Sequence, residues 1–168
     1  QHNFVRAGGL LGQQFPGVKF LMVGRGCDAA NAKLMRWIAA SGCAEHFVLL
    51  GERGDAPVCL AAMEVFCLPS RTEGFPNVVG EAMAMRKPCV ATDVGDAAYL
   101  LGDCGVVVPK EDAQALADGL ARVLSLPATE REALGQRAHE RIAAGFTMDR
   151  TRQCFEAVYA KMLAGKTK

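Results

Sequence analysis

The run Ser70-Arg71-Thr72-Glu73-Gly74-Phe75-Pro76-Asn77-Val78-Val79-Gly80-Glu81-Ala82-Met83-Ala84 stands directly after the apolar, β-branched stretch 65–68. A strand ending at Leu68 and a helix beginning just after Pro76 leave a short turn between them. Gly74 lets the backbone bend there, and Pro76 presets φ for a first helical turn while removing a donor that helices do not need at that point. In an open α/β sheet such a turn lies at the carboxyl edge, where ligands bind. Helix-start amides then face outward at a positive helix end and suit a phosphate or a hydroxyl-rich ligand.

The same alternation extends outward on both sides. Continuous apolar runs at 18–23, 46–50, 65–68, 89–92 and 106–108 predict strands buried on both faces, as helices on both sides of a parallel sheet require. Between them, 31–40 carries Leu34, Trp37 and Ile38 on one side, 56–63 is a short helix, 78–85 follows the third strand, and 96–101 is a weaker candidate. The fold class is therefore α/β: a doubly wound, mainly parallel, Rossmann-like sheet. Beyond Pro109 only helices are expected. Asp112 is an N-cap ahead of Leu116, Leu120 and Val123, Thr129 with Glu132 reads as a capping box, and Gly145 ends that second helix. A last helix over 149–163 has Cys154, Phe155, Val158, Tyr159 and Met162 as an apolar stripe, read as packing. Phe4, Val5, Ala7, Leu10 and Leu11 also fall at helical spacing, so the sequence starts at or inside a helix, as a piece of a longer chain would.

Composition narrows the partners. The 168 residues suffice for one domain with its own core, and 51% hydrophobic with 22% charged residues describes a folded globular chain. A net charge of +1 gives no field to gather nucleic acid. The cysteines at 27, 43, 59, 67, 89, 104 and 154 are scattered through apolar runs without C-x-x-C spacing, which predicts buried free thiols and no metal site. A reducing cytosol is the expected compartment, with the parent protein at most resting on the inner face of a membrane. No apolar run is long enough for a membrane span.

Two carboxylates single themselves out. Glu81 lies among Val78, Val79, Gly80, Ala82, Met83 and Ala84, so a buried helix carrying a carboxylate that needs a partner is expected. Glu73, in the preceding turn, can point to the same mouth. The alternative assignment has Glu73 capping the helix and Glu81 paired with Arg71 or Arg86.

Together with V-G-R-G at 23–26, V-L-L-G-E at 48–52, V-F-C-L-P-S at 65–70, P-C-V-A-T-D-V-G at 88–95 and G-V-V-V-P at 105–109, the E-G-F-P-N-V-V-G-E-A-M-A run resembles glycosyltransferase family 4. These are the group 1 retaining transferases of GT-B fold. The resemblance implies a nucleoside-diphosphate-sugar donor, no essential metal or other cofactor, and an acceptor the motifs do not specify. It places Glu73 on hydroxyls of the donor sugar, as the catalytic-site carboxylate, and Glu81 on the nucleotide ribose. Gly74, Phe75, Asn77 and Val78 would meet sugar and phosphates, and Gly24 with Gly51, Glu52 and Arg53 would border the base. It further implies that the first strand, an N-terminal domain and a basic pair for the diphosphate precede Gln1. The isolated chain would then be inactive, its sheet left with an open edge.

Other signals are weaker. Gly24-Arg25-Gly26-Cys27-Asp28-Ala29 fits G-x-G-x-x-A after a strand, the basis of a rival dinucleotide-binding oxidoreductase reading, but the acidic ribose partner expected about 20 residues on is displaced to Glu52. A non-catalytic nucleotide-binding module is the other alternative. His2, His46 and His139 read as solvated or capping residues, and Arg25 and Lys87 as candidate phosphate neighbours.

Overall fold

The computed structural model describes residues 1–164. Helix α1 (His2–Gln14) leads into strand β1 (Phe20–Val23). Then come α2 (Ala32–Ala40), β2 (Phe47–Gly51), α3 (Ala56–Ala61), β3 (Phe66–Leu68), α4 (Asn77–Ala84), β4 (Cys89–Thr92), α5 (Ala97–Leu101) and β5 (Gly105–Val108). Three helices follow: α6 (Ala113–Leu124), α7 (Ala128–Gly145) and α8 (Met148–Ala164). The alternation and the purely helical end agree with the sequence reading.

Every strand pairing is parallel, but the strands form two sheets: β1 with β2, and β3, β4 and β5 with β4 in the middle. The expected open edge is thus an internal division. β1 and β3 each keep one unpaired side, and both sides line a single cavity of about 1200 Å³.

Burial on both faces holds for β4 alone, whose four residues are all buried between α4 and α6. β2 alternates instead: Phe47 and Leu49 pack on the cluster of Val5, Met22, Leu34 and Ile38, while Val48 and Leu50 on the other face are exposed. The main core lies around β4, with Met83, Leu100 and Leu101 fully buried. A second cluster joins the two sheets, Ala7 and Leu11 of α1 packing with Leu116 and Leu120 of α6. Full burial of one such Leu is worth about 1.5–3 kcal/mol.

Helix starts follow local chemistry. Asn31 Oδ1 accepts from the Leu34 amide at 3.2 Å and Asp112 Oδ1 from the Ala115 amide at 2.9 Å, as N-caps do. The capping box expected at Thr129 and Glu132 does not form. Pro127 presets the first turn, its carbonyl accepts from the Glu130 and Arg131 amides, and the helix starts at Ala128, which puts Thr129 inside the first turn. The packing expected of the α8 stripe is not seen among the described residues: none of the helix is buried, and Phe155, Val158, Tyr159 and Met162 are exposed.

Candidate functional site

The turn after β3 is held from its neighbour strand. Thr92, fully buried at the end of β4, donates its hydroxyl to the carbonyls of Leu68 at 3.2 Å and Ser70 at 2.7 Å, fixing where the chain leaves the sheet. Ser70 Oγ in turn donates to Glu73 Oε1 at 2.7 Å, which orients the carboxylate and leaves its other oxygen without a hydrogen-bond partner among the described residues. A charge-assisted bond of this length sets direction as well as adding stability.

The backbone beyond Glu73 is clamped by the β4–α5 turn. The Asp96 amide donates to the Gly74 carbonyl at 2.9 Å, and Gly95 sits with φ +51 so close that a Cβ there would lie 2.1 Å from the Gly74 oxygen and 2.5 Å from the Glu73 oxygen. Gly95 is therefore the position where only glycine fits. Gly74, expected to supply the sharp bend, has no φ in the left-handed region and open space where a Cβ would go. The bend comes from the clamp and not from glycine freedom at 74.

Helix α4 begins with Pro76 and has no side-chain cap. Of the amides expected to be free, that of Asn77 donates to the Phe75 carbonyl at 3.0 Å. Those of Phe75 and Val78 keep no protein partner among the described residues, so two donors remain open in the stretch after Glu73. Glu81 departs from expectation: α4 buries Val79, Ala82 and Met83 on one face and leaves Glu81 exposed on the other. Neither proposed ion pair forms, since Arg71 meets Glu111 at 2.7 Å and Arg86 Nε donates to Gln136 Oε1 at 2.9 Å.

The Gly24 and Gly51 turns interlock. The Gly24 amide donates to the Gly51 carbonyl at 2.7 Å, and the Gly51 amide to the Cys27 carbonyl at 2.8 Å, with φ of +125 and +66 at the two glycines. Just outside, Arg25 and Glu52 approach to 3.7 Å in an exposed pair. Arg53 holds Asp55 through two bonds, Nε to Oδ1 at 2.7 Å and Nη2 to Oδ2 at 2.5 Å. Hydrogen bonding to this guanidinium keeps the Asp55 carboxyl below the usual carboxylate range and raises Arg53 itself.

One cavity gathers Gly24, Arg25, Glu52, Arg53, Glu73 and Val78 along its wall. Gly51, Gly74, Phe75, Asn77 and Glu81 do not line it and lie in the adjoining turns and helix. Lys87 is removed from any phosphate role in this arrangement, its Nζ donating to the Ala61 carbonyl at 2.8 Å. His139 bonds the Ala84 carbonyl at the end of α4 at 2.7 Å, and His46 is buried against the Val18 carbonyl at 2.8 Å, both ring nitrogens meeting main-chain acceptors. Ser70, Thr92 and Gly95 were passed over as site residues in the sequence. The T-D-V-G run at 92–95 carried two of them, but their role arises only where two distant turns meet. Among the described residues all the cysteines are free; burial pushes the Cys89 thiol up to about 12 and Cys67 higher still.

A family model described as glycosyl transferases group 1 matches residues 1–126. The lipopolysaccharide core biosynthesis mannosyltransferase LpcC of Rhizobium leguminosarum bv. viciae is 34% identical over 133 residues, covering 78% of this chain and 38% of its own. Among solved structures, HepE of Anabaena in complex with UDP superposes with a TM-score of 0.81 at 23% identity over 95% of this chain and 45% of that one. The C-terminal domain of the group 1 family protein LpcC from Francisella tularensis gives 0.77 at 20% identity, over 88% and 79%. These structural likenesses show the fold, that of one half of a GT-B transferase. The chain spans 38% and 39% of the length of two curated relatives it matches. The family match covers most of the 168 residues, including the whole Glu73 turn and its Gly95 clamp, and so the chain belongs to the group 1 glycosyl transferases.

Proposed function

We propose that the chain is the donor-binding C-terminal half of a retaining glycosyltransferase that moves a sugar from a nucleoside-diphosphate sugar to an acceptor hydroxyl. The observation that carries this reading is Glu73. It is oriented by Ser70, its backbone is clamped by Gly95, and it sits at the carboxyl edge of a parallel sheet beside the unpartnered amides of Phe75 and Val78. Glu73 binds sugar hydroxyls, the helix-start amides face the diphosphate, and the exposed Glu81 accepts from the ribose. The Gly24 and Gly51 turns, with Glu52 and Arg53, border the base. The solved relative that contains UDP supports a nucleotide of this class.

In the transfer, the bond from the anomeric carbon to the diphosphate breaks with its electron pair leaving on the diphosphate. The acceptor oxygen bonds to the same carbon and gives its proton to the departing diphosphate. Cations that neutralise the leaving diphosphate belong in this reading to the first strand and following loop of this same half, preceding Gln1, and the acceptor site belongs to an N-terminal domain. Calorimetric titration of the 168-residue chain with the diphosphates of uridine, guanosine and adenosine tests the donor site. Weak binding of at least one, reduced in Glu73→Gln, is the expected result; heat from none of them, with NAD bound instead, overturns the reading.

A further inference from the structure

We infer that Ser70 is a specificity-determining residue: by fixing the direction of the Glu73 carboxylate it decides which epimer of the donor sugar is accepted, without taking part in holding the nucleotide. The inference rests on the reading of Glu73 as the carboxylate that meets sugar hydroxyls. Backbone and side chain of this turn are held by different groups. The backbone is fixed from behind, where the buried Thr92 hydroxyl bonds the carbonyls of Leu68 and Ser70 and the Asp96 amide bonds that of Gly74. None of these contacts uses the Ser70 hydroxyl, so the turn keeps its course without it. The Glu73 carboxylate, by contrast, has one hydrogen-bond partner among the described residues, Ser70 Oγ at 2.7 Å. Arg71, in the same turn, is drawn off to Glu111 at 2.7 Å.

Ser70 and Glu73 are both half-buried and both line the large cavity. A glutamate there without a partner turns about its side-chain torsions, whereas one bound at Oε1 presents its second oxygen in a single direction. Direction is what separates epimers, which carry the same hydroxyls and differ only in where one of them points. A fixed acceptor bonds the hydroxyl of one epimer and stays unpaired against the other, and unpaired polar groups are what reject a near-identical substrate. An acceptor free to swing follows the displaced hydroxyl and serves both, at the entropic cost of ordering itself each time. Ser70 thus acts through Glu73, as a positioning residue whose effect is confined to the sugar.

Calorimetric titration of the 168-residue chain with UDP-glucose against UDP-galactose, and GDP-mannose against GDP-glucose, tests this, because the ratio within each pair cancels the nucleotide. UDP and GDP alone report nucleotide binding. The unaltered chain should separate at least one pair by about fivefold or more. Ser70→Ala should shrink that ratio by about threefold or more, with affinity for the nucleoside diphosphate unchanged within about twofold and the thermal midpoint within about 1 °C. Ser70→Thr keeps the hydroxyl and should restore the ratio, and Ser70→Ala added to Glu73→Ala should change nothing further. No binding of any probe, or a ratio that survives Glu73→Ala, sinks the functional reading and this inference with it. A ratio lost in Glu73→Ala but kept in Ser70→Ala overturns the inference alone, as does an unaltered chain that separates neither pair. Additive losses in the double variant would put Ser70 on the sugar itself, and a Ser70→Ala chain that unfolds or loses diphosphate binding would give it a purely structural role; either result overturns the inference.

Discussion

At the scale of single residues, the site depends on one contact the eye does not pick out in the sequence. Gly95→Ala places a Cβ against the Glu73 and Gly74 carbonyls in a left-handed conformation, so it should cost more than about 1 kcal/mol in urea unfolding and weaken nucleotide binding by displacing Glu73. Gly74→Ala, with open space and an ordinary φ, should change stability by no more than about 0.5 kcal/mol. Equal losses in the two variants would contradict the clamp. Glu81→Gln in the full-length parent should weaken donor binding by about 1–3 kcal/mol, measured by titration, if its exposed carboxylate meets the ribose. Asp55 gives a pH test. Its folded pKa is depressed by Arg53, so the bond contributes stability above the unfolded carboxyl value of 3.8 and loses it as pH falls through the lower folded value. Carboxyl NMR should show Asp55 titrating below 3.8, and rising toward it in Arg53→Ala. The place of Glu73 in the turn between β3 and α4 was legible in the sequence because the patterns that mark the strand and the helix are local. Gly95 was not, because its constraint comes from Glu73 and Gly74 across a turn-to-turn contact. Glu81 was read as buried because its sequence neighbours are apolar, yet it lies on the face of α4 opposite Val79, Ala82 and Met83, and adjacency along the chain does not show which face a helix buries.

At the scale of elements, α8 is the outlier. Its Phe155, Val158, Tyr159 and Met162 repeat at helical spacing, yet all are exposed, so the stripe that suggested packing finds no partner among the described residues. Ending the chain after Thr147 should therefore shift the thermal midpoint by less than about 2 °C, whereas Leu116→Ala in the fully buried face of α6 should cost about 2–5 kcal/mol. Differential scanning calorimetry of both variants checks this, and a large loss on truncation would show that α8 docks. Periodicity revealed this helix but could not reveal what its face meets, since spacing records a stripe and not its partner. The strands divide the same way. Continuous runs located all five, and β4 is buried as that pattern requires, but β2 has the same apolar character with Val48 and Leu50 exposed. Which strand is central depends on pairing, which no single run encodes.

For the whole molecule, the arrangement of the site argues that binding and turnover separate. In the proposed reading Glu73 and the helix-start amides hold the donor, while the groups that position an acceptor belong to an N-terminal domain. Orientation of two reactants can be worth roughly 7 kcal/mol or more of barrier, so the 168-residue chain should release no sugar to any acceptor in a donor-turnover assay. Sustained transfer by it alone would refute the division into halves. The α1–α6 seam also shapes how the chain reaches this state. Ala7 and Leu11 meet Leu116 and Leu120 only after the chain from β1 through β5 has been laid down between them. Contacts so far apart along the chain form late, after the closely spaced β3–α4–β4–α5–β5 units, because their loop entropy must be met first. Leu116→Ala should accordingly leave the refolding arm of a chevron almost unmoved and steepen the rate of unfolding, making this seam the place where the molecule first comes apart.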